Sequence, residues 1–245
     1  MYDVKKENIV FIALIFVIVC IAITCGYFAF QEEEVEHVEL TDAQKIQEEY
    51  SLLNDQVNEN NNRTYPTVNL GEDNRFVYIT EEEALSVFEN NNTTLLYFGY
   101  ASCPWCRSIL PVLESVAEEK NIGEIKYLDI EDIRSVLELD ENNKVVTTRE
   151  GTTNYYKLLD ALDESLEDYV LTGKDGEEVS TGEKRIYAPT VIAVVNGEVT
   201  GIHVGSVDSQ ESGYDSLTDV EVEELKEVYR ELIDSMSNGM CNEGC

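Results

Sequence analysis

The stretch TLLYFGYASCPWC, Thr94 to Cys106, decides the fold. Its first half, Thr94 to Gly99, is an apolar run of strand length. Two cysteines, Cys103 and Cys106, follow after a short turn. Pro104 to Lys120 then reads as a helix with Ile109, Leu110, Leu113, Val116 and Ala117 on its buried face. A C-x-x-C pair set between a buried strand and a helix points to redox chemistry rather than to a structural pair. The spacing puts Cys103 at the helix N-cap and Cys106 one turn in. Pro104 falls at the first helical position, where a missing N–H costs nothing. Cys103 therefore faces unpaired backbone donors and the positive end of the helix dipole, which favour its thiolate, the attacking species. Cys106, close by and more buried, would resolve the mixed disulfide.

Outward from this stretch, strands and helices alternate, which predicts an α/β domain. Phe76 to Ile79 reads as a short strand, and Thr80 caps a helix whose first turn holds Glu81, Glu82 and Glu83. Glu124 to Ile130 is a further strand. Thr190 to Val195 and Glu198 to Val204 flank Asn196-Gly197, a strong hairpin signal. Asp219 to Met236 closes the domain as a helix with Val222, Leu225, Val228, Tyr229, Leu232 and Ile233 inward. Residues 131–185 interrupt the alternation and are expected to be a helical insertion, with Tyr156, Leu159, Leu162, Leu166 and Val170 near helical spacing and an Asp175-Gly176 turn. Residues 155–172 read as a packed surface insertion rather than a partner-recognition lid.

Four features occur in the order found in the thioredoxin superfamily, and the chain resembles that family over about residues 75–130 and 186–236. They are Tyr97 to Cys106 as the strand–turn–helix entry, Pro111 inside the helix, Ala188-Pro189-Thr190, and Thr190 to Gly205 (TVIAVVNGEVTGIHVG) as the final hairpin with its glycine. The resemblance implies a central mixed sheet flanked by helices. It implies that Pro189 is cis and lies beside Cys103 and Cys106, and that Ala188, Pro189 and Thr190, with Pro104 and Trp105, form the surface that meets substrates. It departs from the family in two places. The family's buried acid six residues before the first cysteine is Tyr97 here, and the residues between the cysteines are Pro-Trp. The direction of exchange is thereby left open. Within the superfamily the chain looks most like membrane-linked proteins of Gram-positive type, some of them labelled bacteriocin transport accessory proteins.

The N-terminal run IVFIALIFVIVCIAITCGYFAF, residues 9–30, carries no charge. At 1.5 Å per residue it reaches roughly 33 Å, enough for a hydrocarbon core of about 30 Å. It is too long for the apolar part of a signal peptide and lacks a small-x-small cleavage site. Thr24 before Cys25 and Val19 before Cys20 fit a lipoprotein signal poorly. Lys5 and Lys6 precede the run, so the positive-inside rule places residues 1–8 in the cytoplasm and the remainder outside. Residues 31–64 are expected to form an acidic helical stalk. Thr41 and Gln44 make a capping box there, and the narrow stripe Ile46, Tyr50, Leu53, Val57 either packs on the next domain or pairs with a copy of itself, with packing preferred. The thioredoxin-like domain is expected over 65–237. Residues 238–245 form a loose tail in which Cys241 and Cys245 can close a small disulfide or act as a tethered dithiol.

Composition narrows the partners. Fifty acidic residues against 17 basic ones give a net charge of −33, which argues against nucleic acid, since phosphate binding needs a Lys/Arg surface. Six cysteines in three local pairs and two isolated histidines, His37 and His203, match no zinc spacing, so neither a metal nor another cofactor is expected. Cys20 and Cys25 in the apolar run read as small hydrophobes. The expected function is a membrane-anchored, extracytoplasmic thiol–disulfide oxidoreductase acting on protein cysteines. The alternative is a non-catalytic binding or accessory module for secreted peptides.

Overall fold

Every residue of Thr190–Val195 is buried, and so are five of the six in Thr94–Gly99. Strands apolar on both faces belong in the middle of a sheet covered on both sides, and the computed structural model places them there. It describes residues 14–23 and 39–241, with side chains to residue 237. The strands are β1 (Val57–Asn58), β2 (Arg63–Thr64), β3 (Phe76–Tyr78), β4 (Thr94–Gly99), β5 (Ile125–Asp129), β6 (Val136–Leu139), β7 (Val145–Arg149), β8 (Asp168–Thr172), β9 (Glu178–Lys184), β10 (Thr190–Val195) and β11 (Glu198–Val204). The helices are α1 (Asp42–Leu52), α2 (Glu81–Glu89), α3 (Pro104–Glu119), α4 (Thr153–Ala161) and α5 (Asp219–Cys241).

The central sheet has the order β11-β10-β4-β5-β3. β3, β5 and β4 run parallel, and β10 is antiparallel to both of its neighbours. Because successive side chains point to opposite faces, β4 and β10 feed two cores. Leu95, Tyr97, Val191 and Ala193 join Ile46 and Tyr50 of α1, Ile109 and Leu113 of α3, and Leu225 and Tyr229 of α5. Leu96, Phe98, Ile192 and Val194 join Ala84 and Val87 of α2 and Tyr155 and Leu158 of α4. This is a mixed sheet between two helical layers, consistent with a thioredoxin-like fold. Asn196 and Gly197 take positive φ (52° and 80°) at the β10–β11 turn, the conformation a two-residue hairpin demands.

Three expectations are corrected. The insertion over 131–185 is not mainly helical. It consists of the hairpin β6–β7, the short helix α4, a single 3-10 turn at Asp163–Ser165 and the hairpin β8–β9. The β8 burial alternates with period two and Val170 lies in that strand, so of the apolar series only Tyr156 and Leu159 lie in α4, with Leu162 at its C-cap. Turn chemistry decides the rest, with Asp140 accepting from the Asn142 and Lys144 N–H groups, and Gly176 at φ 82°.

The stalk boundary also moves. The chain divides into compact units at Glu39/Leu40, so α1 belongs to the unit that holds the central sheet rather than standing ahead of it. Ile46 and Tyr50 on its stripe are fully buried in the sheet's core. Finally, α5 continues to Cys241, so residues 238–241 are helical rather than a loose tail. Cys245 and Cys25 lie outside the described residues, as does much of the apolar run 9–30. Within that run residues 14–23 are helical. Among the described residues no helix is long and apolar enough to cross a membrane.

Candidate functional site

α3 begins at the N-cap Cys103, with Pro104 in its first turn and Pro111 further along. The Cys106 N–H donates to Cys103 Sγ at 3.2 Å, which satisfies one of the helix's unpaired donors. The Cys103 thiol donates to the Ala188 carbonyl at 3.3 Å across 85 positions of sequence. The Ala188–Pro189 bond is cis. The structure thus brings Cys103, Cys106, Pro104, Trp105, Ala188 and Pro189 to one end of the sheet. Thr190 is there too, but its hydroxyl donates to the Tyr187 carbonyl at 2.8 Å and is turned inward. It braces the proline loop and does not face a substrate. The Pro189 carbonyl in turn accepts from the Gly205 N–H at 2.8 Å, tying the loop to the end of β11.

Both cysteines are free thiols in this state. Cys103 is only 4% exposed and Cys106 is fully buried. Burial opposes ionisation of Cys103. The hydrogen bonds from the Cys106 thiol and from the Cys106 and Trp105 N–H groups, with the charge of Arg134, outweigh it, so its pKa is lowered. Burial and the neighbouring Cys103 push the Cys106 thiol well up. The pair is therefore split into one sulfur favoured as thiolate and one held as thiol. Alkylation of the remaining member of the pair in Cys106→Ser and in Cys103→Ser, located by peptide mapping, is expected to reflect this. Cys103 should react with a midpoint below the ordinary thiol value of about 8.5, because its thiolate accumulates once pH passes the lowered pKa. Cys106 should respond only well above that pH. Faster reaction at Cys106 would reverse the assignment.

A shallow cleft of about 410 Å³ opens beside the pair, lined by Trp105, Tyr187, Ala188, Val204, Gly205 and Gln210 among others. Trp105 is half-buried. Its ring lies so close to Gly213 that a Cβ there would stand 2.8 Å from it. Loop 207–215 is stitched to α3 by Ser108, whose hydroxyl donates to the Gly213 carbonyl (3.2 Å) and accepts from Gln210 Nε2 (3.1 Å).

Several residues that shape the site did not stand out in the sequence. Arg134 donates to the Tyr100 hydroxyl at 2.7 Å and sits over its ring. Arg107, directly after Cys106, is 1% exposed. Its guanidinium donates to the carbonyls of Pro66 (2.9 Å), Tyr50 (3.0 Å) and Ala101 (3.2 Å) and to Asn54 Oδ1 (2.6 Å). Position 107 falls three before Leu110 on the apolar stripe of α3. Helical periodicity alone could therefore have marked this arginine as buried. Tyr50 and Tyr127 close in behind Tyr97. Among the described residues no group of His, Cys, Asp or Glu is arranged to hold a metal ion.

No family model and no curated protein matches the chain. A solved structure of thioredoxin O2 from Arabidopsis thaliana in its oxidised state is similar at 19% identity, covering 65% of this chain and 96% of that one with a TM-score of 0.33. A likeness that loose bears on neither the fold nor the chemistry, which rest on the geometry above.

Proposed function

We propose that this chain is a membrane-anchored thiol–disulfide oxidoreductase acting on protein cysteines at the outer face of the membrane. The observation that carries the chemistry is the Cys103 thiol at the α3 N-terminus, its pKa lowered, with the Cys106 thiol buried behind it. The anchor rests on the uncharged run 9–30 and the lysines before it, and the kinship we favour is with the membrane-linked thioredoxin-like proteins of Gram-positive type. In the reducing direction the Cys103 thiolate attacks one sulfur of a substrate disulfide. A Cys103–substrate bond forms and the other substrate sulfur leaves as a thiolate that takes a proton from water. Cys106 then loses its proton and attacks Cys103. The protein disulfide forms, the second substrate thiolate leaves, and two electrons have passed to the substrate. The oxidising direction is the reverse, and the pair's measured reduction potential decides between them.

The test is turnover. The full chain, supplied with a dithiol reductant, is expected to reduce insulin-type protein disulfides, and Cys103→Ser and Cys106→Ser should each lose about 99% or more of that rate. Retention of turnover by both variants would sink the reading. The 4% exposure of Cys103 favours a second reading, a binding module for secreted peptides. In that case peptide affinity for the cleft persists in both serine variants and no turnover is seen in the parent.

A further inference from the structure

Tyr97 stands on β4 with its side chain on the α1/α3/α5 face of the sheet, fully buried. Its ring folds back over Gly99, two residues along the same face, and a Cβ at position 99 would collide with its hydroxyl. The glycine just before the cysteine turn thus leaves the phenol room in the core it shares with Cys106, where its dipole favours the Cys106 thiolate. The Tyr97 hydroxyl is 3.4 Å from the Tyr50 hydroxyl, and that of Tyr50 is 3.1 Å from the Tyr127 hydroxyl. Three buried phenols from β4, α1 and β5 form a chain in the same buried cluster as Cys106. The Tyr97 and Tyr127 rings meet edge to face at 4.8 Å, which fixes their orientation.

We propose that the Tyr97 hydroxyl is a catalytic hydrogen-bond donor to Cys106, holding its thiolate whenever the Cys103–Cys106 bond opens or closes, with Tyr50 and Tyr127 positioning it. This deepens the oxidoreductase reading and rests on it. When Cys106 attacks Cys103 its S–H proton leaves, and the sulfur carries negative charge until the new S–S bond forms. In the reverse direction the S–S bond breaks and the same sulfur leaves as a thiolate. In either case a fixed O–H dipole aimed at the sulfur stabilises charge where it develops, in a site that excludes water. A phenol performs this differently from a carboxylate. Burial holds the pKa of Tyr97 well above its ordinary value of 10.0, so it stays protonated at working pH. It donates and does not act as a base. The titratable groups around Cys106 include the Cys103 thiol and the phenols Tyr97, Tyr50, Tyr127, Tyr100 and Tyr229, and Asp129, opposite Gly99 on β5, adds a carboxyl that burial pushes up to about 6. If Tyr97 does the work, the resolving step should follow the ionisation of Cys106, with no inflection from that carboxyl.

The experiment uses the full reduced chain with Cys20, Cys25, Cys241 and Cys245 changed to serine, so that only the Cys103–Cys106 pair reacts, and an aromatic disulfide reagent that releases a coloured thiolate. Attack by Cys103 releases the first equivalent. Attack by Cys106 on the resulting mixed disulfide releases the second, so the two steps are timed separately. In Tyr97→Phe the first release is expected to stay within about twofold of the parent. The second should slow by about tenfold to a hundredfold at neutral pH, the loss of one hydrogen bond to a charged group, and its pH profile should move to higher pH. Tyr50→Phe should slow the second release by a smaller factor, with the same direction of pH shift. A thermal midpoint on each variant reports folding, and Tyr50→Phe stands in if Tyr97→Phe does not fold. An unchanged second release and unmoved profile in these variants overturn the proposal. Absence of the first release in the parent overturns the oxidoreductase reading instead, and the proposal falls with it. The parent's second release also decides the role. A rate with an additional inflection at about pH 6 that survives in Tyr97→Phe would assign the work to a carboxylate rather than to Tyr97.

Discussion

Cys106→Ser is expected to turn the protein into a trap that accumulates disulfide-linked adducts at Cys103. The first step of exchange needs only the low-pKa thiol at the helix N-cap, and a serine hydroxyl at position 106 can replace the Cys106 thiol as its side-chain donor. The hydrogen bond to Cys103 Sγ comes from the backbone N–H of residue 106 and also survives. What disappears is the thiol that would release the substrate. An oriented intramolecular nucleophile has an effective concentration of about 10⁵ M or more, against roughly millimolar free thiol in any assay. Resolution should therefore slow by many orders of magnitude and adducts should persist on non-reducing gels. Cys103→Ser should capture almost nothing, because Cys106 is fully buried and its pKa is pushed well up. Equal capture by the two variants would mean that neither sulfur is specialised. The near burial of Cys103 sharpens the outcome. Adducts should be dominated by substrates able to seat a chain against Ala188 and Trp105, and an excess of small-molecule adducts over protein adducts would argue against the cleft as the docking site.

Much of this site was legible in the order of residues. The run of six apolar positions before the turn could only be a central strand, and Cys103 at an N-cap followed by proline is a local matter of helix ends. The Asn196-Gly197 hairpin is likewise written in two adjacent residues. The misreadings all concern what the periodic pattern does not carry. In residues 131–185 the apolar positions happen to fall near helical spacing, but Asp140 and Asp175-Gly176 impose tight turns and the intervening segments pair as hairpins. Register between distant segments is likewise invisible. Nothing in the α1 stripe says that Tyr50 will meet Tyr97 and Tyr127, because those contacts span 47 and 77 positions. The absent acid at position 97 was readable as a gap. Its replacement by a phenol chain was readable only once α1 was placed on the sheet.

That placement of α1 draws on one buried side chain besides its apolar stripe, and Arg107→Met should show the size of the dependence. The guanidinium is 1% exposed and its partners are neutral oxygens, three carbonyls and the Asn54 side chain, with the Tyr50 and Tyr65 rings at 5.8 and 5.5 Å. Two of those carbonyls and Asn54 belong to the segment that leads α1 back to the sheet. Asn54 also exchanges bonds with the Val68 backbone at 2.8 and 3.0 Å, so one residue links the arginine to the whole return path. Methionine fills much of the volume but leaves these acceptors buried without donors, at about 1–3 kcal/mol for each one that water cannot reach. A loss of about 3–5 kcal/mol is expected, and a thermal midpoint lower by about 6–20 °C for a chain of this size. Lysine should not rescue it, since a single ammonium cannot span four acceptors set in a fork. The loss should also be local before it is global, with amide exchange in residues 42–68 accelerating more than in β4 or β10. Tyr50 leaves with that segment, so under conditions where Arg107→Met remains folded the resolving step should slow as it does in Tyr50→Phe. A midpoint within about 2 °C of the parent, or uniform exchange across the domain, would show that α1 is held by its apolar stripe alone and that α3 does not depend on it.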